Sequence, residues 1–520
     1  MKKFLSILLV MCMVLGLFTA CAKEEESVTG KETTGSGTEV TEAPTAEPVQ
    51  ELKDVNVIMW TLNTVPTEID LVEEAINKIT EPEIGVTVHL NIMDMGTYLT
   101  QASMMVTNNE KVDLMITFPA ASAHYSVMSS QGMLTPLNDL LNEYGQDLLA
   151  ELPDFYLDGT TKEGKILSVP CYKNLISDMY WVARTSVLEN SGVDPANIKT
   201  MADVENAMVE IHKANPEMIT LGGNAKTVNL TYPGQKALTG GHYDTLGEAT
   251  AIAAIADFDN PTKVVSRYET EEWLESVSLL KKWYDMGLID KDLANKEGAG
   301  EPLADSNVAT SFVIMNATKL SSYDTTIGDK LTYVKLSDGV ISTGALTQMT
   351  WAVPSSATEP EAAVKLMNML FTDARIVNLF DYGVEGTHYV KKDDGTIGFP
   401  EGIDASTSGY YINMVQLIGN AFLAHTWEGG DPNDAAKGKA IMENAEASPI
   451  LGFSLDTSKV SDIYAQLSAL CNDQYRPALV CGSAPADYQE KFIKAMQDAG
   501  LEQYLAEAQR QLDEWLAAKK

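Results

Sequence analysis

The apolar and polar positions divide this chain into three textures. Met1, Lys2 and Lys3 open it, and Phe4 to Phe18 then run almost wholly through Leu, Ile, Val, Met and Gly. A positive start, an apolar run and a small-residue stop have the layout of a secretory signal. The run is about 15 residues, short of the roughly 20 that a membrane-spanning helix needs; an uncut N-terminal anchor is the plainer alternative. Residues 22–50 carry Glu24-Glu25-Glu26, "TEAPTAEP" and no aromatic residue. Such a stretch cannot bury enough apolar surface to fold and reads as a flexible tether.

From Val55 the texture becomes that of a folded body. "VNVIMW" is a short β-branched run, and in "TEIDLVEEAINKITEP" Ile69, Val72, Ala75, Ile76 and Ile79 fall at helical spacing, with Pro82 closing the segment. "VTVHLNIM" alternates as a strand, a helix is expected over about 97–108, and "VDLMITF" reads as a buried strand. Strand, helix, strand, helix, strand implies a parallel α/β sheet. Beyond it come "KILSVPCY", the strand "DMYWVAR", helices near 201–214 and 270–286, and a helical C-terminus whose stripe of Leu501, Leu505, Ala508, Leu512, Trp515 and Leu516 is expected to pack on the body. The sequence shows no internal repeat.

At 520 residues the chain exceeds one compact core, so two or more lobes are expected. The formal net charge of −36 argues against nucleic acid and anionic lipid as partners, because both need basic patches. Cys12 lies in the signal; Cys171, Cys471 and Cys481 lie in the body. Cys471 and Cys481 could close a small loop, but three buried thiols are the favoured reading, and no CxxC pair suggests zinc. "DPND" at 431–434 and "DKDL" at 290–293 lack the full calcium-loop pattern. Asp393-Asp394-Gly395 reads as a β-turn.

Two resemblances then organise these elements. Thr19-Ala20-Cys21 resembles the lipobox of bacterial lipoproteins, with Phe18 where Leu is usual; it implies cleavage before Cys21 and a lipid on that thiol. The body resembles the large extracellular solute-binding family of bacterial ABC importers that handles sugars and oligosaccharides. The resemblance runs in order through "VDLMITF…SSQGMLTPLNDLL", "ILSVPCYKNLISDMYWVARTSVLENSGVD", "YETEEWLESVSLLKKWYDMGLID" and "TQMTWAVPSSATEPEAAVKLMNMLFTD". "YGVEGTHY" and "PILGFSLDT…LDEW" are similar to the C-terminal region of one of its subgroups. It implies a type II periplasmic-binding-protein fold, an α/β architecture of two lobes joined by hinge strands with the ligand cleft between them. The expected division is 1–20 signal peptide, 21–52 lipidated cysteine and tether, 53–172 with about 300–345 as lobe 1, 173–299 with about 346–445 as lobe 2, and 446–520 as a helical C-terminal region. It further implies a monomer held to the outer face of the cytoplasmic membrane only by the lipid on Cys21, no cofactor, an oligosaccharide ligand, and permease subunits as partners.

Sugars present apolar C–H faces and hydroxyl edges, so a binder needs aromatic platforms with a few hydrogen-bonding side chains. In open α/β folds the ligand sits beyond the carboxyl ends of the strands. Trp60 ends the first strand with Asn63 three residues on, where the family positions a ligand-contacting turn. Phe118-Pro119-Ala120-Ala121-Ser122 is a small-residue loop leading to His124, read as a surface residue, and to Tyr125, a candidate contact. Tyr172, Lys173 and Asn174 follow Pro170 at the crossover, where Tyr172 could stack and the other two donate to hydroxyls. Tyr232 lies in a loop beside Pro233-Gly234, Trp351 in the strand that reaches the cleft in the family's layout, and Trp427 among loop residues. Trp181, Trp273, Trp283 and Trp515 read as packing.

Nothing in the chain supplies HExxH, GxSxG, a Walker loop or a strand-linked GxGxxG. None of the six His lies within five positions of another. Capture without chemistry is therefore expected, with a non-sugar solute such as a peptide, or a surface glycoside hydrolase, as alternatives.

Overall fold

The computed structural model describes residues 51–118, 121–223, 227–248, 250–296 and 300–519. The signal, Cys21, the tether up to residue 50, and Pro119 and Ala120 of the small-residue loop lie outside the described residues.

β1 (Lys53–Thr61) and β2 (Val86–Asp94) pair in parallel along their whole length, joined by the helix Ile69–Ile84. β1 is buried from Val57 to Thr61 because it lies between β2 and β3 (Leu114–Ile116) and is covered on both faces. β2, at the edge, alternates buried and open positions over Val86–Leu90. The helix runs two residues past Pro82. A proline in the last turn removes only one intrahelical donor, and Gly85 (φ 69°) ends the helix by returning its N–H to Glu81 O at 3.1 Å.

A short hairpin of β4 (Thr161–Lys162) and β5 (Lys165–Ile166) precedes β6 (Val169–Pro170), which closes the first sheet. The chain then crosses into a second sheet of β7 (Asp178–Arg184) and β8 (Ile219–Gly222). The ribbon β9 (Ala253–Ile255) and β10 (Val264–Ser266) stands beside it in sequence, and β11 (Val308–Met315) and β12 (Leu331–Ser337) complete it. β13 (Thr350–Ala352) returns to the first sheet. The orders are β2-β1-β3-β13-β6 and β12-β7-β11-β8, and β14 (Val390–Lys391) with β15 (Ile397–Gly398) forms a small ribbon.

This pairing corrects the expected lobe division. β11 and β12 hydrogen-bond antiparallel to β7, so residues 308–337 belong with lobe 2. β13 is antiparallel to β3 and β6, so the segment from about 341 to 447 belongs with lobe 1. The two cores agree. One gathers Val57, Leu114, Trp351, Leu370 and Phe380; the other gathers Trp181, Leu221, Trp283, Phe312 and, from the C-terminal helices, Phe492, Tyr504 and Leu512. The C-terminal region is thus part of lobe 2 rather than a separate body. Cys471 is a buried thiol in that core, 3.7 Å from Met496 Sδ, and does not bridge to Cys481.

Three crossover segments lie side by side between the lobes. Gly339 N–H donates to Asp178 Oδ1 at 2.9 Å, which ties the second crossing to the first. Ile341 pairs with residues 446–448, its N–H reaching Glu446 O at 2.9 Å and its carbonyl accepting from Ser448 N at 2.8 Å. A Cβ at Gly339 would come within 2.5 Å of Ser177 O, so only glycine lets these backbones touch.

Candidate functional site

A cleft of about 1510 Å³ opens between the lobes, with two of the crossover segments, 173–177 and 340–342, as its floor. Lobe 1 supplies the start of the helix Tyr125–Ser130, the segment 159–163 and residues 342–348. Lobe 2 supplies 232–235, 243–248, 452–458 and the end of the C-terminal helix at Gln511, Glu514 and Trp515.

Four of the expected contacts lie here: Tyr125, Lys173, Asn174 and Tyr232. They are not equally available. Tyr125 is buried, and its hydroxyl donates to Thr160 O at 2.8 Å; burial raises the phenol's pKa far above its ordinary value. Asn174 is committed to the hinge: Nδ2 donates to Asn316 Oδ1 at 2.7 Å, Oδ1 accepts from Ile176 N at 3.0 Å, and Asn316 Nδ2 donates back to Asn174 O at 3.1 Å. Tyr232, 42% exposed, presents an open ring. Lys173 is half-buried on the floor, and its ammonium lies 3.6 Å from Met349 Sδ.

Five expected contacts do not line the cleft. Trp60 is buried against Phe118, ring centroids 4.8 Å apart, because the end of β1 is covered on both faces. Asn63 donates through Nδ2 to Ile412 O at 2.7 Å and holds a loop of lobe 1. Tyr172 is packed edge-on between Tyr156 and Phe422, at 5.3 and 4.9 Å. Trp351, fully buried, sits on a central strand facing the core and donates from Nε1 to Leu417 O at 2.9 Å. Trp427 packs with Tyr382, Phe399 and Tyr411 in a small cluster of lobe 1.

Sequence reasoning missed Trp515. The ring is half-buried, packed edge-on against Phe453 at 5.7 Å, with Lys519 Nζ 4.3 Å above its centroid, and it forms part of the cleft wall. Helical periodicity assigned it to packing; the pointer available in sequence was its place at the end of the stripe, where a helix leaves its core. Gly452 beside it has φ 93°, and a Cβ there would meet Asp158 O at 2.7 Å and Trp515 at 3.6 Å, so glycine permits this meeting of the lobes. Gln235, Tyr243 and Glu248 were also missed. Gln235 Nε2 donates to Ser177 O and Asp338 O at 2.7 and 3.2 Å, fixing the lobe 2 wall to the floor. Glu248 accepts from Thr250 N, Ile252 N and Tyr464 Oη at 2.5–2.8 Å, so its charge is fully used in place. His124, on the rim, caps the helix through Nδ1, and burial lowers its pKa, favouring the neutral ring that this cap requires.

Two α/β lobes on crossover segments, with a cleft walled by both, define a two-lobed binding protein of the type II periplasmic-binding-protein kind. Residues 63–375 match the bacterial extracellular solute-binding protein family, and the chain belongs to that family. Residues 449–517 match a domain of unknown function, the part that here completes lobe 2. The chain is 24% identical over 473 residues, 89% of its length and 91% of the relative's, to a carbohydrate ABC transporter substrate-binding protein of Streptococcus pneumoniae serotype 4. It superposes on the N-glycan transport solute binding protein of Streptococcus pneumoniae with a TM-score of 0.72 at 21% identity, covering 90% of this chain and 100% of that one. An HMO-binding, ABC-transporter-associated solute-binding protein from Bifidobacterium longum infantis gives a TM-score of 0.60 at 15% identity, covering 89% of this chain and 99% of that one. Among the described residues no helix is long and apolar enough to cross a membrane, and no three His, Cys, Asp or Glu side chains converge as metal ligands.

Proposed function

We propose that this protein is the substrate-binding component of an ABC importer, capturing an oligosaccharide and handing it to a membrane permease without chemical change. The observation that carries the reading is the cleft itself. Its volume of about 1510 Å³ suits an extended ligand rather than a single small solute. Tyr232 and Trp515 offer ring faces for sugar C–H surfaces, while lobe 1 opposes them with hydroxyls and backbone. The carbohydrate-binding relatives support the same ligand class. Ligand touching both walls favours closure about the three crossovers, and the closed form docks on the permease. Lys173 and Tyr232 make direct contacts in this mechanism, whereas Tyr125 and Asn174 shape the site. Cleavage before Cys21 and lipidation of its thiol hold the protein at the outer face of the cytoplasmic membrane, as a monomer.

The test is a thermal-shift screen of purified protein against oligosaccharides, peptides and amino acids, with product analysis. A ligand at 100 times its Kd stabilises by about 2.7 kcal/mol. Stabilisation by an oligosaccharide with no hydrolysis product is expected. Turnover would overturn the receptor reading, and stabilisation by peptides alone would remove the sugar.

A further inference from the structure

Lys173 is the half-buried cation of the cleft; the other, Lys162, stands exposed on the rim. The Lys173 ammonium carries three donors, yet its hydrogen-bond partner among the described residues is a thioether, a weak acceptor. Among the described residues no carboxylate lies within ion-pair distance of it. The carboxylates of the cleft behave differently: Glu248 accepts three donors, Asp456 caps Ser458 N at 2.9 Å, and Glu514 pairs with Arg510. Glu163 stands exposed on the rim. Burial, the main influence on Lys173, lowers its pKa and marks the cost of holding a charge there without a partner.

We propose that Lys173 is a specificity-determining residue that receives a carboxylate of the ligand, so that the cleft selects acidic oligosaccharides, those carrying uronic or sialic acid residues, over neutral ones. The proposal rests on the oligosaccharide reading above. A sugar hydroxyl would give the ammonium one acceptor but no counter-charge. A carboxylate gives both, in a charge-assisted bond about twice as strong as a neutral one. The chain's net charge of −36 does not prevent this, because exposed charges beyond about 8–10 Å are screened. Position supports the role: Lys173 precedes Asn174, whose pair with Asn316 ties the hinge to the end of β11. A charge bound at Lys173 therefore sits where lobe closure is decided.

The experiment compares matched probes by calorimetry: oligogalacturonates and sialyllactose against their carboxyl-reduced counterparts, with a panel of neutral oligosaccharides. At least one acidic probe is expected to bind at least tenfold more tightly than its carboxyl-reduced form, with affinity falling as salt rises. Lys173→Met should level the pair while keeping the melting temperature, and Lys173→Arg should restore the preference. Tight binding of a neutral oligosaccharide with no acidic preference, or an equal loss for both probes in Lys173→Met, would overturn the proposal and leave sugar capture standing. Failure of every glycan to bind would overturn both. If Lys173→Met unfolds, the matched probes and their salt dependence on the unaltered protein still decide.

Discussion

The two walls of the cleft are built from opposite materials. Lobe 1 presents hydroxyls and bare backbone, among them Ser126, Gly159, Thr161, Thr343 and Gly344, and its one tyrosine there has its hydroxyl committed to Thr160. Lobe 2 presents the open ring of Tyr232 and the half-buried ring of Trp515, with the buried Tyr243 and Phe453 behind them. Lobe 1 is not poor in aromatic residues: Trp60, Tyr172 and Trp351 belong to it, but its core takes them. An aromatic side chain serves whichever apolar surroundings its strand or helix end meets first. A strand covered on both faces sends its tryptophan inward, whereas a helix end leaving the core turns one toward solvent. Under the capture mechanism, C–H faces dock on lobe 2 and hydroxyl edges meet lobe 1 on closure.

The sharpest way to break this contrast is Trp351→Ala. Replacing a fully buried tryptophan costs about 3–5 kcal/mol, and the Leu417 carbonyl also loses its indole donor, keeping only the weak Cys171 thiol at 3.3 Å. Denaturant unfolding should show the loss, with ligand affinity per folded molecule unchanged. A variant with native stability and no binding would return Trp351 to the cleft and erase the difference between the walls.

A second prediction tests the core of lobe 1 by pH. Asp381 is fully buried in lobe 1; Oδ1 accepts from Met414 N at 2.6 Å, and burial raises the carboxyl to about 7. The unfolded group titrates near 3.9. The native state therefore holds the extra proton between those values, and the group's contribution to stability falls as pH rises from about 4 to about 7, then levels off. Asp381→Asn keeps the acceptor and removes the charge. It should stabilise by on the order of 2 kcal/mol at pH 8, and by little at pH 4. Urea unfolding across that range checks it, and a difference independent of pH would mean that the carboxyl is not buried as described.

How far the sequence carried these arguments depended on the element. The helix Met201–Ala214 and the strand Asp178–Arg184 were legible almost to the residue; the structure shows a Thr200–Asp203 capping box starting the first and an apolar run over Met179–Ala183 in the second. Sheet membership of β11 and β13 was not, because local pattern sets the type of an element but not its partner; a chain that crosses between lobes three times leaves no periodic trace. The hinge residues Lys173 and Asn174 were found from the family resemblance, which placed a crossover just after Pro170. Trp60, Tyr172 and Trp351 were misplaced because ring chemistry alone cannot separate a core position from a wall. Trp515 packs on the lobe 2 core, as its stripe implied, and lines the cleft as well, which the stripe did not indicate.

Tyr232→Ala and Trp515→Ala test the aromatic wall directly. Each should weaken oligosaccharide binding about tenfold, roughly 1.4 kcal/mol, with stability changed by less than about 1 kcal/mol, since one ring is open and the other is only half-buried, edge-on to Phe453 and beneath Lys519 Nζ. Tryptophan fluorescence titration of Tyr232→Ala and calorimetry of Trp515→Ala give the two affinities. Full affinity in both would leave the cleft without its stacking wall and end the contrast on which the ligand class rests.

The smallest effect belongs to the seam between the walls. Lys519 Nζ, over the Trp515 ring, donates to Leu451 O at 3.2 Å and lies 3.7 Å from Asp158 of lobe 1, both partners half-exposed. Such a pair contributes about 0–1 kcal/mol and is screened by salt. Yet it joins the C-terminal helix of lobe 2 to lobe 1 at the cleft's edge, so its small energy acts on the balance between open and closed forms. Lys519→Met should change affinity by less than about threefold at low salt, because a bias of that size moves an equilibrium by no more than a few-fold. The change should vanish in 1 M NaCl, where exposed charges no longer interact. A loss above tenfold that survives high salt would place Lys519 against the ligand itself and extend the aromatic wall by one cation.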